Sequence, residues 1–243
     1  MEQYTEHEIL NISARAGEVL LKATAETYRV EDTCRIVCQK QGLEFAEAFV
    51  LPTVIILTSN SKGEQTKIRK TYDRSTNITN ICKVNSFVRN LEKDERSYTD
   101  KMEYLKEIRD KKPYPNWLYC LMCGFVSGGF SLLAGATAYD FLAAFVCGLL
   151  SGMAAILVKN LPAKTFLKCF LVGGITGAIA ITASELSEKC FFEPIIVGGM
   201  KPFFPGITIL LSLRDYLAGN ISAGTSRLAE GLIVGGSLAA GIA

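Results

Sequence analysis

Hydrophobic positions recur along this chain with changing periods, and each period predicts a different element. Between Glu8 and Lys22 the apolar residues Ile9, Ile12, Ala16, Val19 and Leu20 fall at helical spacing, which puts them on one face of an amphipathic helix. A second helix is predicted over 29–41, with Val30, Cys34, Val37 and Cys38 facing inward, Glu31 and Asp32 near its start and Gly42 as its stop. The period then shortens. Segments 45–51, 54–57 and 65–72 are rich in β-branched or aromatic residues and are separated by Pro52 and by the turn Asn60-Ser61-Lys62-Gly63, which predicts an antiparallel meander. Helical spacing returns from Thr79 to Arg109 through Ile81, Val84, Phe87, Val88 and Leu91, then Met102, Leu105 and Ile108, with an interruption over 94–98.

From Trp117 to Ala243 the polar face disappears. Leu, Ala, Gly, Ile, Val and Phe dominate, and five runs are predicted to span a membrane, over 117–138, 141–158, 166–186, 194–213 and 227–243. Each is near the roughly 17 to 25 residues that a bilayer requires, the last at the short limit. Lys111, Lys112, Pro113 and Pro115 form the linker. The expected fold is therefore an α+β cytosolic domain over residues 1–112, with helices on one face of the sheet, followed by an all-α polytopic membrane bundle of five transmembrane helices over 113–243.

Charge gives the bundle a direction. Lys111 and Lys112 precede the first run, Lys159, Lys164 and Lys168 lie between the second and third, and Arg214 and Arg227 lie between the fourth and fifth; Asp140, Glu185, Glu188, Lys189 and Glu193 fall on the other side. An amino terminus inside the cell satisfies the positive-inside rule throughout. The opening MEQYTEHEIL is acidic and polar and lacks the features of a signal peptide. Glycines four apart (Gly124 and Gly128, Gly148 and Gly152, Gly173 and Gly177, Gly231 and Gly235) let helix backbones approach in lipid, which predicts a packed bundle.

Composition removes several functions. The formal charge is +2, and no basic run is interleaved with aromatics, so a nucleic-acid partner is not expected. Most of the eight cysteines sit in apolar runs or on a helix face and read as packing, the Cys120–Cys123 pair included; the single histidine, His7, stands among exposed charges. Neither a metal nor another cofactor is expected. No nucleotide-binding loop is present, so an ion gradient, protons first, is the expected driving force.

The stretch from Pro194 to Glu230 departs from a plain spanning helix. Lys201, Pro202, Pro205 and Gly206 interrupt it, and a broken helix beside an ionisable group in a membrane is a candidate binding site. Arg214 and Asp215 follow, then Arg227 and Glu230 three residues apart.

Two segments, AETYRVEDT (Ala25 to Thr33) and PFFPGITILLSLRDYLAGNISAGTSRLAEG (Pro202 to Gly231), resemble the threonine/serine exporter family, specifically its amino-terminal half. The Pro-Gly, Arg-Asp, Gly, Gly, Arg and Glu positions of the second segment carry the likeness. The resemblance implies a cytosolic domain joined to five membrane helices. Because the chain stops at Ala243, it also implies the split, two-component type, which needs a small all-membrane partner subunit in the same bilayer. Fused members export threonine and serine, and split members resemble systems that export a C4 dicarboxylate such as succinate. A homo-oligomer is left open.

Site residues follow from residues and resemblance together. Lys201, Pro202, Pro205, Gly206, Ile207 and Thr208 are assigned to substrate binding: the two prolines unwind the fourth helix and leave free amides at the start of the half-helix from Ile207, a positive end suited to a carboxylate. The competing reading is a structural kink with Lys201 snorkelling to the surface. Arg214, Asp215, Arg227 and Glu230 are assigned to a gate of ion pairs, with Glu230 expected to pair with Arg214 or Arg227; a static clamp is the alternative. Glu26, Arg29 and Glu31 form a cytosolic signature that fixes a helix junction or docks the cytosolic domain. No catalytic residue is assigned. The chain is read as a subunit of a secondary transporter that exports a small carboxylate-bearing metabolite across the inner (cytoplasmic) membrane; the alternative is a membrane-anchored sensor or enzyme acting through its cytosolic domain.

Overall fold

A computed structural model describes residues 4–43, 45–60, 64–72, 74–111, 114–158 and 164–243. The turn residues Ser61, Lys62 and Gly63, the linker residues Lys112 and Pro113, and Lys159 lie outside the described residues. The chain forms two compact units. One joins Met1–Lys111 to Leu210–Arg227, and the other joins Lys112–Ile209 to Leu228–Ala243.

In the first unit α1 (Glu6–Lys22) is the element on which the others are laid. Thr5 and Glu8 form a reciprocal capping box at its start, and nearly all of its middle is buried, polar Asn11 and Ser13 included. α2 (Thr27–Lys40) packs beside it, close enough that a methyl group on Gly17 would meet Cys34 Sγ. The strands β1 (Ala46–Leu51), β2 (Val54–Ser59) and β3 (Gln65–Lys70) form an antiparallel meander in the order β1-β2-β3, within the segments that carried the short period. α3 (Ile78–Arg89) and α4 (Tyr98–Asp110) complete the sequence of elements. One core runs through them all: Ile12 and Leu20 of α1, Val30 and Val37 of α2, Ile55 and Leu57 of β2, Val84 of α3 and Leu105 of α4. The chain stops α2 at Gly42, whose φ of +85° is the left-handed conformation that glycine adopts without penalty.

The second unit contains α5 (Asn116–Leu133), α6 (Ala138–Leu157), α7 (Lys164–Leu186) and α8 (Phe192–Met200), with the first turn of α9 (Gly206–Leu217) and the later part of α10 (Ile221–Ile242). Glycine sets its close contacts. A methyl group on Gly148 of α6 would strike the Cys123 carbonyl of α5, and one on Gly173 of α7 would strike the Leu238 carbonyl of α10. Gly124, Gly128, Gly152 and Gly177 are also crowded by a neighbouring helix, whereas nothing lies near Gly235. Asp140, wholly buried, caps α6 with Thr137 and accepts the Phe191 amide at 2.6 Å, tying the start of α6 to the start of α8.

The expected architecture is corrected in two respects. An α+β domain followed by five spans is overturned, because three helices (α5, α6 and α7) are long and apolar enough to cross a membrane, or four if the bent α8–α9 pair is one span. α10 is 22 residues long but is not among them; Arg227 and Glu230 and the small polar residues Ser222, Thr225 and Ser226 occupy its first half. The amino-terminal segment also opens as a helix pair, and its compact unit takes in Leu210–Arg227 from the far end of the chain. It is therefore not a separate domain that precedes a bundle.

Candidate functional site

The helix break lies where the prolines placed it. α8 ends at Met200, Lys201–Phe203 form one 3-10 turn, and α9 starts at Gly206, with the two helices bent by 59°. Pro202 and Pro205 bring no N–H of their own. The chain reconnects sparingly: the Phe204 amide donates to the Lys201 carbonyl at 3.3 Å, Gly206 to Phe204 at 2.9 Å and Ile209 to Pro205 at 3.0 Å. The amides of Ile207 and Thr208, in the first turn of α9, meet no acceptor among the described residues.

Two lysines attend the break through aromatic rings. Lys201 Nζ lies 5.2 Å from the centroid of Phe130 and 5.5 Å from that of Phe204. Lys168 Nζ lies 5.1 Å from the centroid of Phe203. Each cation rests on a ring face, an arrangement that holds charge in an apolar setting without an acidic partner. Phe203 and Pro205 are buried, Lys201 and Pro202 half-buried, and Gly206 and Ile207 exposed, so the free amides face outward from the helix.

The charged residues form a second cluster, inside the first unit. Arg227 and Asp215 are both fully buried and meet with Nε 2.9 Å from Oδ2. Asp215 Oδ1 accepts the Thr27 amide at 3.1 Å and the Thr27 hydroxyl at 2.8 Å. Since Glu26, the residue at the cap position of α2, makes no side-chain cap bond, Asp215 of α9 supplies the carboxylate that closes the α2 amino terminus. Arg227 Nη2 donates to the Ala25 carbonyl at 2.7 Å.

Glu26 pairs outward from the same junction. Arg214 Nη1 donates to its Oε1 at 2.7 Å and Arg29 Nη1 lies 3.6 Å from its Oε2. Burial pushes the Glu26 carboxyl up, but its own backbone amide, the Arg214 hydrogen bond and the charges of Arg29 and Arg214 outweigh that, and the group is held below its ordinary value. Glu31 reaches two ways: Oε1 accepts the Val50 amide of β1 at 2.9 Å, and Oε2 lies 3.4 Å from Asn220 Nδ2. Asn220 also donates to Thr27 Oγ1 at 3.3 Å. Its place is fixed by Gly219, at φ +84°, and by its own amide on the Asp215 carbonyl at 2.8 Å, which closes α9 and starts α10.

Glu26, Arg29, Glu31, Arg214, Asp215 and Arg227 thus come together, while Lys201 to Thr208 form the separate break. Glu230 lies half-buried on α10, one turn beyond Arg227. Sequence reasoning missed Thr27 and Asn220. Both lie within the quoted segments, but neither carries a charge to draw notice.

Three long apolar helices, a broken helix pair and glycine-set helix contacts define a polytopic membrane protein. The chain belongs to the threonine/serine exporter family, whose model matches residues 11–243. No curated protein and no solved structure matches the chain. The family is one of transporters rather than enzymes.

Proposed function

We propose that the chain is a subunit of a secondary transporter that exports a small carboxylate-bearing metabolite across the cytoplasmic membrane, with its amino terminus in the cytosol. The observation that carries this reading is the pair of unaccepted amides at Ile207 and Thr208, at the positive end of α9 and directly after a proline-made break. Such an end favours a carboxylate by charge and by donated hydrogen bonds. Lys201, parked on Phe130 and Phe204, adds a mobile full charge nearby. Threonine, serine and a C4 dicarboxylate such as succinate all present the group required.

The buried cluster around Asp215 serves this reading as a latch. Arg227, Thr27 and Asn220 hold the α9–α10 turn to the start of α2, and Glu31 carries the link on to β1. A latch of this kind has two states to offer, closed with all donors satisfied and open with the charges in water. A small all-membrane partner subunit completes the pathway, and an ion gradient drives it.

The test is efflux of labelled threonine, serine and succinate from cells that make this chain alone, the partner alone, or both. Faster loss of one substrate with both subunits supports the reading. Equal loss of all three in every combination contradicts it and favours a membrane-anchored sensor.

A further inference from the structure

The meander in the first unit has an outward face that the transport reading does not use. Along each strand the inward residues, among them Val50, Ile55 and Leu57, enter the core, and the alternate residues point away from it. Phe49 stands opposite Ile56, and Ile56 opposite Ile68, so an apolar ladder crosses all three strands. Phe49 is 53% exposed and Ile68 56%. An exposed contiguous ladder of this kind marks an interaction surface.

The charges around the ladder identify the occupant. Glu47 is the outward residue before Phe49 on β1, and Lys70 the outward residue after Ile68 on β3. Since both strands run antiparallel to β2, they run parallel to each other, and Glu47 and Lys70 occupy opposite corners of the face. Neither has an ion-pair partner among the described residues. Beyond each charge stands an exposed aromatic: Phe45 past Glu47 and Tyr72 past Lys70. Read inward from either corner the order is aromatic, charge, apolar residue, with the two charges opposite in sign.

Other occupants fit less well. The face carries one acid and one base, so it offers no net charge to an anionic lipid surface. Strand addition at the open β3 edge would set Lys67, Arg69 and Lys70 among their own copies. At β1 the Val50 amide is already taken by Glu31.

We propose that two copies of the chain meet through this face, related by a two-fold axis through Ile56, with their strands crossing near a right angle. In that arrangement Ile56 packs on its own copy, Phe49 meets the second copy's Ile68, Glu47 its Lys70, and Phe45 its Tyr72, each contact made twice. Three strands about 4.8 Å apart and about six residues long cover a few hundred Å² per copy, less than the roughly 800 Å² per partner of a stable soluble complex. The contact therefore depends on the bilayer, which holds the copies at raised effective concentration.

The test is energy transfer in membranes between full-length chains carrying donor and acceptor fluorophores. E47K alone and K70E alone each place like charges at both corner contacts, and association should weaken roughly tenfold. Mixing E47K chains with K70E chains makes both contacts opposite again, so energy transfer should return to the wild-type level. A mixture that stays as low as the single variants overturns the proposal, as does wild-type transfer no higher than that of a non-associating membrane protein, or single variants that lose nothing. All three positions are exposed, and an unchanged thermal midpoint for each variant shows that folding is not the cause.

Discussion

Asp215 and Arg227 share a wholly buried ion pair, Nε to Oδ2 at 2.9 Å, and that pair joins α9 and α10 at the point where α2 begins. Coulomb attraction alone does not make such a pair stabilising, because two charges have been taken out of water. What secures it is the full set of donors: Thr27 supplies two to Asp215, and Arg227 spends another on the Ala25 carbonyl.

The first prediction follows from the asymmetry of breaking one partner. Asp215→Asn keeps an oxygen for Thr27 but strands the Arg227 charge, and should cost about 3–5 kcal/mol. Asp215→Asn combined with Arg227→Met removes both charges and should recover part of that loss, a positive coupling in a double-mutant cycle. Thermal unfolding of the full chain in detergent measures it. A single variant with an unchanged midpoint would show that the pair contributes nothing.

Glu26 gives a pH signature. Its folded value lies below the ordinary 4.5, so its contribution is present above the unfolded value and is lost as pH falls through the folded one. The midpoint gap between wild type and Glu26→Gln should be largest near neutrality and close as the pH drops well below 4.5. Because the Arg214 side chain is 53% exposed, the gap is about 1 kcal/mol or less. A gap that widens in acid would contradict the pairing.

Helix approach predicts opposite outcomes at two glycines. Gly173→Ala pushes a methyl group into the Leu238 carbonyl and should cost about 1–3 kcal/mol. Gly235→Ala meets empty space and should be neutral, with a small gain in helix propensity. Equal effects in the same unfolding assay would mean that these helices do not pack as described.

Thiol chemistry separates the cysteines of the first unit. Burial pushes Cys34 up to about 12 and Cys38 up to about 11, so both are protonated and shielded at pH 8. Cys82 is exposed. Maleimide labelling of the native chain, read by peptide mass, should modify Cys82 and spare Cys34 and Cys38; modification of Cys34 at a comparable rate would show that the α1–α2 core opens.

Local periodicity made most elements legible. The helical spacing of Ile9, Ile12, Ala16 and Val19 gave α1, the short period gave the strands, and Pro202 with Pro205 gave the break. The partners of the charges were not legible. Arg227 and Glu230 stand three apart, a spacing visible in sequence, but Arg227 finds Asp215, and Arg214 finds Glu26 across 188 positions. A long-range pairing depends on which elements fold together, and no period records that. The same blindness produced the expected fifth span: the apolar run after Glu230 is real, but Arg227, at the foot of the same helix, belongs to the buried cluster of the other unit.

The central claim is that the freed amides of α9 hold the substrate carboxylate. Ile207→Pro removes one of those donors while keeping a residue that the first turn of a helix tolerates, and Gly206 before it has no Cβ to obstruct the ring. Ile207→Ala shortens the same side chain and keeps the amide. In the efflux assay with the partner present, Ile207→Pro should lose roughly tenfold in rate through a lost charge-assisted hydrogen bond, and Ile207→Ala should export at nearly the wild-type rate. Equal rates for the two variants at equal membrane abundance would contradict the claim.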